Sequence, residues 1–216
     1  MDVRSDDLVW YVSYGSNMSA ERFHYYIRGG RPPGAAHACP GARDRTLPRA
    51  DEAVWLPGGV YFATESQLWG GGRAFYDPAI PGKAAARAYL ITFQQFSDVA
   101  AQEMYREPGA DLDLAEVVTA GRLQVGPGRY ETLVHVGQNG QAPLLTFTAP
   151  WGVGDVRPLS PSGGYLRMLA RGLRDAHGWD AEKAATYLAG LPGARGTWTP
   201  EQITCLITSS RGGRLG

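Results

Sequence analysis

"VWYVSYGSNMSAERF", Val9 to Phe23, decides how the chain begins to fold. Val9 to Tyr14 carries no charge and opens Val-Trp-Tyr-Val, the composition of a buried strand. It runs straight into Tyr14-Gly15-Ser16-Asn17. After Ser19, a residue suited to capping, the spacing of Phe23, Tyr26 and Ile27 predicts a short helix. Gly and Asn tolerate positive φ, and Ser and Asn side chains bond local backbone, so a plain strand-to-helix turn accounts for the stretch. The same geometry also builds an anion-binding nest from successive N–H groups, suited to a carboxylate or a developing oxyanion. Both readings stand on these residues.

Outward from this stretch, Gly29 to Leu47 is rich in Gly, Pro and Arg and predicts a long loop. "AVWLPGGVYFAT", Ala53 to Thr64, predicts strand, turn, strand, punctuated at Pro57-Gly58-Gly59. Three glycines in "WGGGRAFYDP" precede a strand at Arg73 to Tyr76 and predict a bulge or a close backbone approach. Ala85 to Thr92 is a further strand. The period then turns helical, with Phe93, Phe96, Val99, Ala100 and Met104 on one stripe and Pro108 expected to end the helix. After a polar connection, "RYETLVHVG" and "PLLTFTAPW" predict a hairpin about "GQNGQ". The last third predicts three helices: "GGYLRMLARGLRDAHG", "DAEKAATYLAGL" capped by Asp180, and "TPEQITCLI" begun by Thr199-Pro200. The fold class is α+β, a β-rich core with helices around it. One domain is expected over residues 9–207, with a tail at 1–8 and a flexible one at 208–216.

Twenty-one basic residues balance twenty-one acidic ones, so no bulk attraction to nucleic acid or an anionic membrane is expected. No apolar run approaches the ~20 residues that span a bilayer, and "MDVRSDDL" lacks the order of a secretory signal. A cytoplasmic protein is expected, with Cys39 and Cys205 as thiols. Oligomeric state is not encoded in these patterns.

Glu103 is the carboxylate out of place. It lies seven after Phe96, four after Val99 and three after Ala100, on the apolar stripe of its helix. A buried carboxylate tends toward a raised pKa, which suits a general acid or base near neutral pH. A core Glu neutralised by an Arg, or one turned to the helix edge, would show the same pattern. Glu107, four residues on along that stripe, is the rival. The four histidines, His24, His37, His135 and His177, are scattered, with no HExxH or paired Cys, which speaks against a metal deacetylase. There is no GxSxG elbow, and "GGRPPG" is not followed by the Gly-Lys of a phosphate loop. His177 stands at a helix end, where it complements the dipole.

Together "YVSYGSNM", "LWGGGRAFYDP", "ARAYLITFQQFSDVAAQEM" and "SPSGGYLRMLARGLRDAHGW" follow the order seen in γ-glutamylcyclotransferase-like (AIG2-like) proteins, which this chain resembles from about Val9 to Leu191. The resemblance implies a small, mostly antiparallel β-barrel with helices around a single cavity. It implies release of 5-oxoproline from a γ-glutamyl amide by attack of the substrate's own α-amine, with no metal or other cofactor. Glu103, after Gln102, matches the family's general acid/base. Tyr14, Gly15, Ser16 and Asn17 match its substrate-binding loop, and Tyr165 its pocket tyrosine. The implied partner is a small γ-glutamyl compound. Met104 departs from the pattern, standing where the family usually has Gly. Tyr105 is either pocket lining or core, and Trp151 an aromatic wall or core. A non-catalytic ligand-binding or interaction module on the same fold is the alternative.

Overall fold

The charge-free opening stretch becomes β1 (Leu8–Ser13) in a computed structural model that describes residues 6–33 and 37–209. β1 carries no charge, and both of its faces are covered. Trp10 and Val12 join one buried cluster, and Val9 and Tyr11 join another, as the two-residue alternation of a strand requires. A 3-10 turn (Ser16–Met18) follows, then α1 (Ala20–Arg28), which buries Phe23 and Ile27.

β2 (Ala50–Pro57), β3 (Gly59–Glu65), β4 (Gly72–Asp77) and β5 (Lys83–Thr92) come next. α2 (Phe93–Glu103) opens with a capping box between Thr92 and Gln95. The polar connection after it contains α3 (Leu114–Ala120), capped by Asp113, and a short β6 (Arg122–Gln124), neither of which the periodicity revealed. β7 (Thr132–Asn139) and β8 (Ala142–Thr148) form the expected hairpin, turning at Gly140-Gln141. α4 (Gly163–His177), α5 (Ala181–Gly190) and α6 (Pro200–Thr208) close the chain. Of the expected tails, residues 1–5 and 210–216 lie outside the described residues.

Six strands form one sheet in the order β2-β5-β1-β8-β7-β6, antiparallel except for the β1–β8 pair. β3 and β4 form a separate hairpin. The barrel implied by the resemblance is therefore not what these strands build: the fold is α+β, with β2 and β6 as sheet edges. The Pro57-Gly58 break accordingly joins two strands of different sheets. Where the β3–β4 hairpin meets β8, a side chain stands in for a ladder. The Thr148 hydroxyl accepts from Tyr76 N–H at 3.1 Å and donates to Tyr76 C=O at 2.7 Å. The hairpin also meets Pro158 at Ala63 of β3, and Gly71 just before β4 meets Pro161, each through a single bridge, and proline has no N–H with which to extend a ladder. The glycine run fulfils its expectation here. A Cβ on Gly72 would lie 2.0 Å from the Leu159 carbonyl oxygen, so the backbone passes too close for any side chain.

α2 stops earlier than Pro108 suggests. Glu103 is its last residue, Met104 caps it, and Tyr105 takes a left-handed φ of 57°. Glu107 is consequently off the helix and exposed, apart from the stripe it was expected to share with Glu103. Among the described residues no helix is long and apolar enough to cross a membrane.

Candidate active site

The end of β1, the 3-10 turn, the end of α2 and the start of α4 converge on one cavity of about 40 Å³. Its wall includes Tyr14, Gly15, Ser16, Asn17, Glu103 and Tyr165, so all six residues singled out in the sequence meet there. That volume is room for about three waters.

Each wall residue is held from behind. Tyr14 is buried and its hydroxyl donates to the Phe147 carbonyl at 2.8 Å. The turn is closed by Met18 N–H to Gly15 C=O at 3.0 Å, while the N–H groups of Gly15, Ser16 and Asn17 have no acceptor among the described residues. α4 presses on this turn: a Cβ on Gly172 would lie 2.6 Å from Met18 Cβ, so the helix approaches only because glycine stands there. Asn17 is buried; its carbonyl accepts from the Tyr89 hydroxyl at 2.7 Å, and its side-chain amide donates to Glu103 Oε1 at 3.0 Å. Tyr165 follows the Ser162 N-cap of α4. Its hydroxyl accepts from Ala74 N–H at 3.4 Å, and its ring stacks on Trp69 with centroids 5.4 Å apart.

Glu103 has no cation within ion-pair distance among the described residues. Burial pushes its carboxyl above the ordinary 4.5. The nearby charge of Arg22, hydrogen bonding with Tyr26 and Asn17, and the more distant charge of Arg73 pull the other way. A neutralising Arg in direct contact is thus not what Glu103 has. The tyrosines around it stay protonated: burial raises Tyr165 to about 12 and lifts Tyr26 and Tyr130 well above their usual range. A carboxylate with raised basicity, unclaimed N–H donors and neutral hydroxyls therefore share one enclosure, which can deprotonate an amine and stabilise an oxyanion.

Arg22, Tyr26, Trp69, Arg73 and Tyr130 also belong to this neighbourhood and were not anticipated. Arg22 and Tyr26 are i,i+4 partners on the inward side of α1, and Arg73 is a charged residue in a strand whose six positions are all buried; those were the available signals. Trp151 is half-buried and packs edge-on against Phe75 at 5.9 Å, at the border of the buried cluster of Tyr61, Phe75 and Ala149. Tyr105 is 69% exposed, beneath Arg129 at 4.4 Å. His177 bonds the Ala86 carbonyl at 2.9 Å and packs against Trp55 and Trp179. Cys39 and Cys205 are free thiols. No group of three or more His, Cys, Asp or Glu among the described residues is placed to share a metal ion.

No family model matches this chain. Among curated proteins it is similar to a protein named histone deacetylase 5 from Arabidopsis thaliana, 33% identical over 200 residues. That alignment takes in 83% of this chain, and the chain spans 30% of the relative's length. Among solved structures it is similar to one described as a gamma-glutamyl cyclotransferase, with a TM-score of 0.49, 15% identity, and coverage of 94% of this chain and 99% of that one. A human protein described as uncharacterized is similar with a TM-score of 0.48 and 16% identity, covering 93% of this chain and 98% of that one.

Proposed function

We propose that the chain is a γ-glutamylcyclotransferase-type enzyme, with Glu103 as general acid/base. The observation that carries this is the hydrogen bond from Asn17 to Glu103: the Tyr-Gly-Ser-Asn turn and the displaced carboxylate belong to one cavity. The chemistry then needs only groups that are present. The substrate's α-ammonium gives a proton to the Glu103 carboxylate, and the freed amine attacks the γ-carbonyl carbon. The attack closes a five-membered ring, so positioning supplies much of the rate. Negative charge moves to the carbonyl oxygen, where the N–H groups of Gly15, Ser16 and Asn17 are the donors. Glu103 gives its proton to the departing nitrogen as the amide C–N bond breaks, takes the second proton from the ring nitrogen and passes it to the freed amine, so that 5-oxoproline and a protonated amine leave. Tyr165 lines the wall beside Gly15. The cavity, with room for about three waters, must widen to admit a γ-glutamyl group.

The test is mass spectrometry of 5-oxoproline released from a panel of γ-glutamyl amino acids and amines, with Glu103→Gln in parallel. Release by the parent and its loss in the variant supports the reading. Release that survives the substitution moves the base elsewhere. The alternative, a binding module with turnover lost, is favoured by the small cavity. It predicts that parent and Glu103→Gln bind a γ-glutamyl compound alike and that neither converts it.

A further inference from the structure

Two residues of the cavity wall, Glu103 at the end of α2 and Tyr130 in the connection from β6 to β7, stand beside segments that hold each other. Arg106, three residues past Glu103, donates to the carboxylate of Glu131, next to Tyr130. In the other direction the Arg129 guanidinium lies over the Tyr105 ring, 4.4 Å from its centre. Each segment thus gives one cation and receives one.

The two segments are anchored differently. Past Glu103, Tyr105 N–H bonds the Gln102 carbonyl at 3.1 Å and Arg106 N–H the Ala101 carbonyl at 2.8 Å, so this side is tied to α2. Residues 125–131 bond largely among themselves. Val125 N–H reaches the Glu131 carbonyl at 2.8 Å, Glu131 N–H the Gly128 carbonyl at 3.3 Å, and Gly128 N–H the Glu131 carboxylate. Gly126 and Gly128 wrap that carboxylate: a Cβ on them would lie 2.4 and 2.6 Å from its Oε2. Tyr130 projects from this unit to the cavity, with its hydroxyl on the Ala74 carbonyl at 2.9 Å and its ring against Phe75 and Phe147. Its φ of 65° is left-handed, a strained setting for a bulky residue. The latch itself is weak, because Arg106 is half-exposed and Tyr105 faces solvent.

We propose that residues 125–131 form a flap of the candidate site, latched to the end of α2 by Arg106–Glu131 and Arg129–Tyr105. Releasing the latch lets the self-bonded unit swing and withdraw Tyr130, which supplies the volume that the closed cavity lacks. The proposal rests on the cyclotransferase reading only for what enters, and its test uses neither ligand nor turnover, so that the two fail separately. Ala74→Cys puts a thiol on the cavity wall, at a position 1% exposed, in a full-length reporter protein whose Cys39 and Cys205 are changed to Ser. Its rate of labelling by methyl methanethiosulfonate reads the opening; Thr146→Cys, buried in the same wall, serves if Ala74→Cys does not fold. Arg106→Gln is expected to raise that rate about two- to fivefold, the scale of one exposed ion pair, and Arg106→Lys to leave it near the reporter's own. Adding Arg129→Gln to Arg106→Gln brings the rise to about tenfold. Low urea hardly changes these rates, since a local opening exposes little surface. Labelling unmoved by the substitutions, or accelerated with the full urea slope of global unfolding, would overturn the flap. Latch-dependent labelling in a protein that releases no 5-oxoproline keeps the flap and overturns the cyclotransferase reading, and release without latch dependence does the reverse.

Discussion

Asp98 and Glu103 are carboxylates on the same helix, five residues apart, and they have opposite surroundings. Asp98 is wholly buried. It accepts the Arg43 main-chain N–H at 2.8 Å and Arg43 Nε at 2.9 Å, so its charge is met on the spot. Glu103 borders a cavity, is hydrogen-bonded by the Asn17 amide at 3.0 Å and by the Tyr26 hydroxyl, and feels its cations only across space. A carboxylate whose every oxygen is satisfied is fixing a loop to a helix. One that borders an enclosure with no cation in contact is available to a ligand.

The largest break in that comparison is Glu103→Gln. It is expected to lower 5-oxoproline release by about 10²–10⁴-fold while leaving the folded state at least as stable, since a costly buried charge is gone. Steady-state kinetics beside urea unfolding measures both. Asp98→Asn should do the reverse: a loss of about 2–4 kcal/mol in unfolding free energy, held below the fully buried value because Arg43 still meets solvent, with turnover by the folded fraction nearly intact. If the two variants behaved alike, the contrast would be wrong.

Asn17→Ala sharpens the comparison. Losing the one amide that holds the Glu103 carboxylate should cost about tenfold in kcat/KM, and Asn17→Asp more, by placing a like charge against the base. The pH dependence separates the carboxylates again. Glu103 binds its proton more tightly folded than unfolded, so its contribution to stability is complete below the ordinary 4.5 and is lost as pH rises through the raised folded value. Activity runs oppositely, rising as Glu103 deprotonates through that same value. Chemical unfolding across pH should show this falling component in the parent and not in Glu103→Gln. The smallest effect is expected at Tyr105→Gly, a change within about 1 kcal/mol, because relief of the left-handed strain offsets the lost contact with Arg129.

The periodicity of "FQQFSDVAAQEM" put Glu103 on a core face, and that holds. It also carried the helix to Pro108, because a proline is a visible stop while a tyrosine at φ 57° is not. α3 was hidden because "LAEVVTA" is one short helical stretch in polar company, held by the Asp113 cap more than by its own pattern. The hairpin at Gly140 was legible from turn chemistry alone, being local in sequence.

By itself, then, the sequence determined what is local. It set β1 as a strand buried on both faces, the Gly-Ser-Asn turn at its tip, the caps of the later helices and the misplaced carboxylate, since propensity, period and capping act within a few residues. The tertiary structure alone decided what depends on distant partners. β2 and β3 part into different sheets, no closed barrel forms among the described strands, and the charges of Arg22 and Arg73 come to act on Glu103. Those outcomes turn on contacts between residues dozens of positions apart, such as the Thr148 hydroxyl on the Tyr76 backbone and the Asn17 amide on Glu103, which no local pattern records.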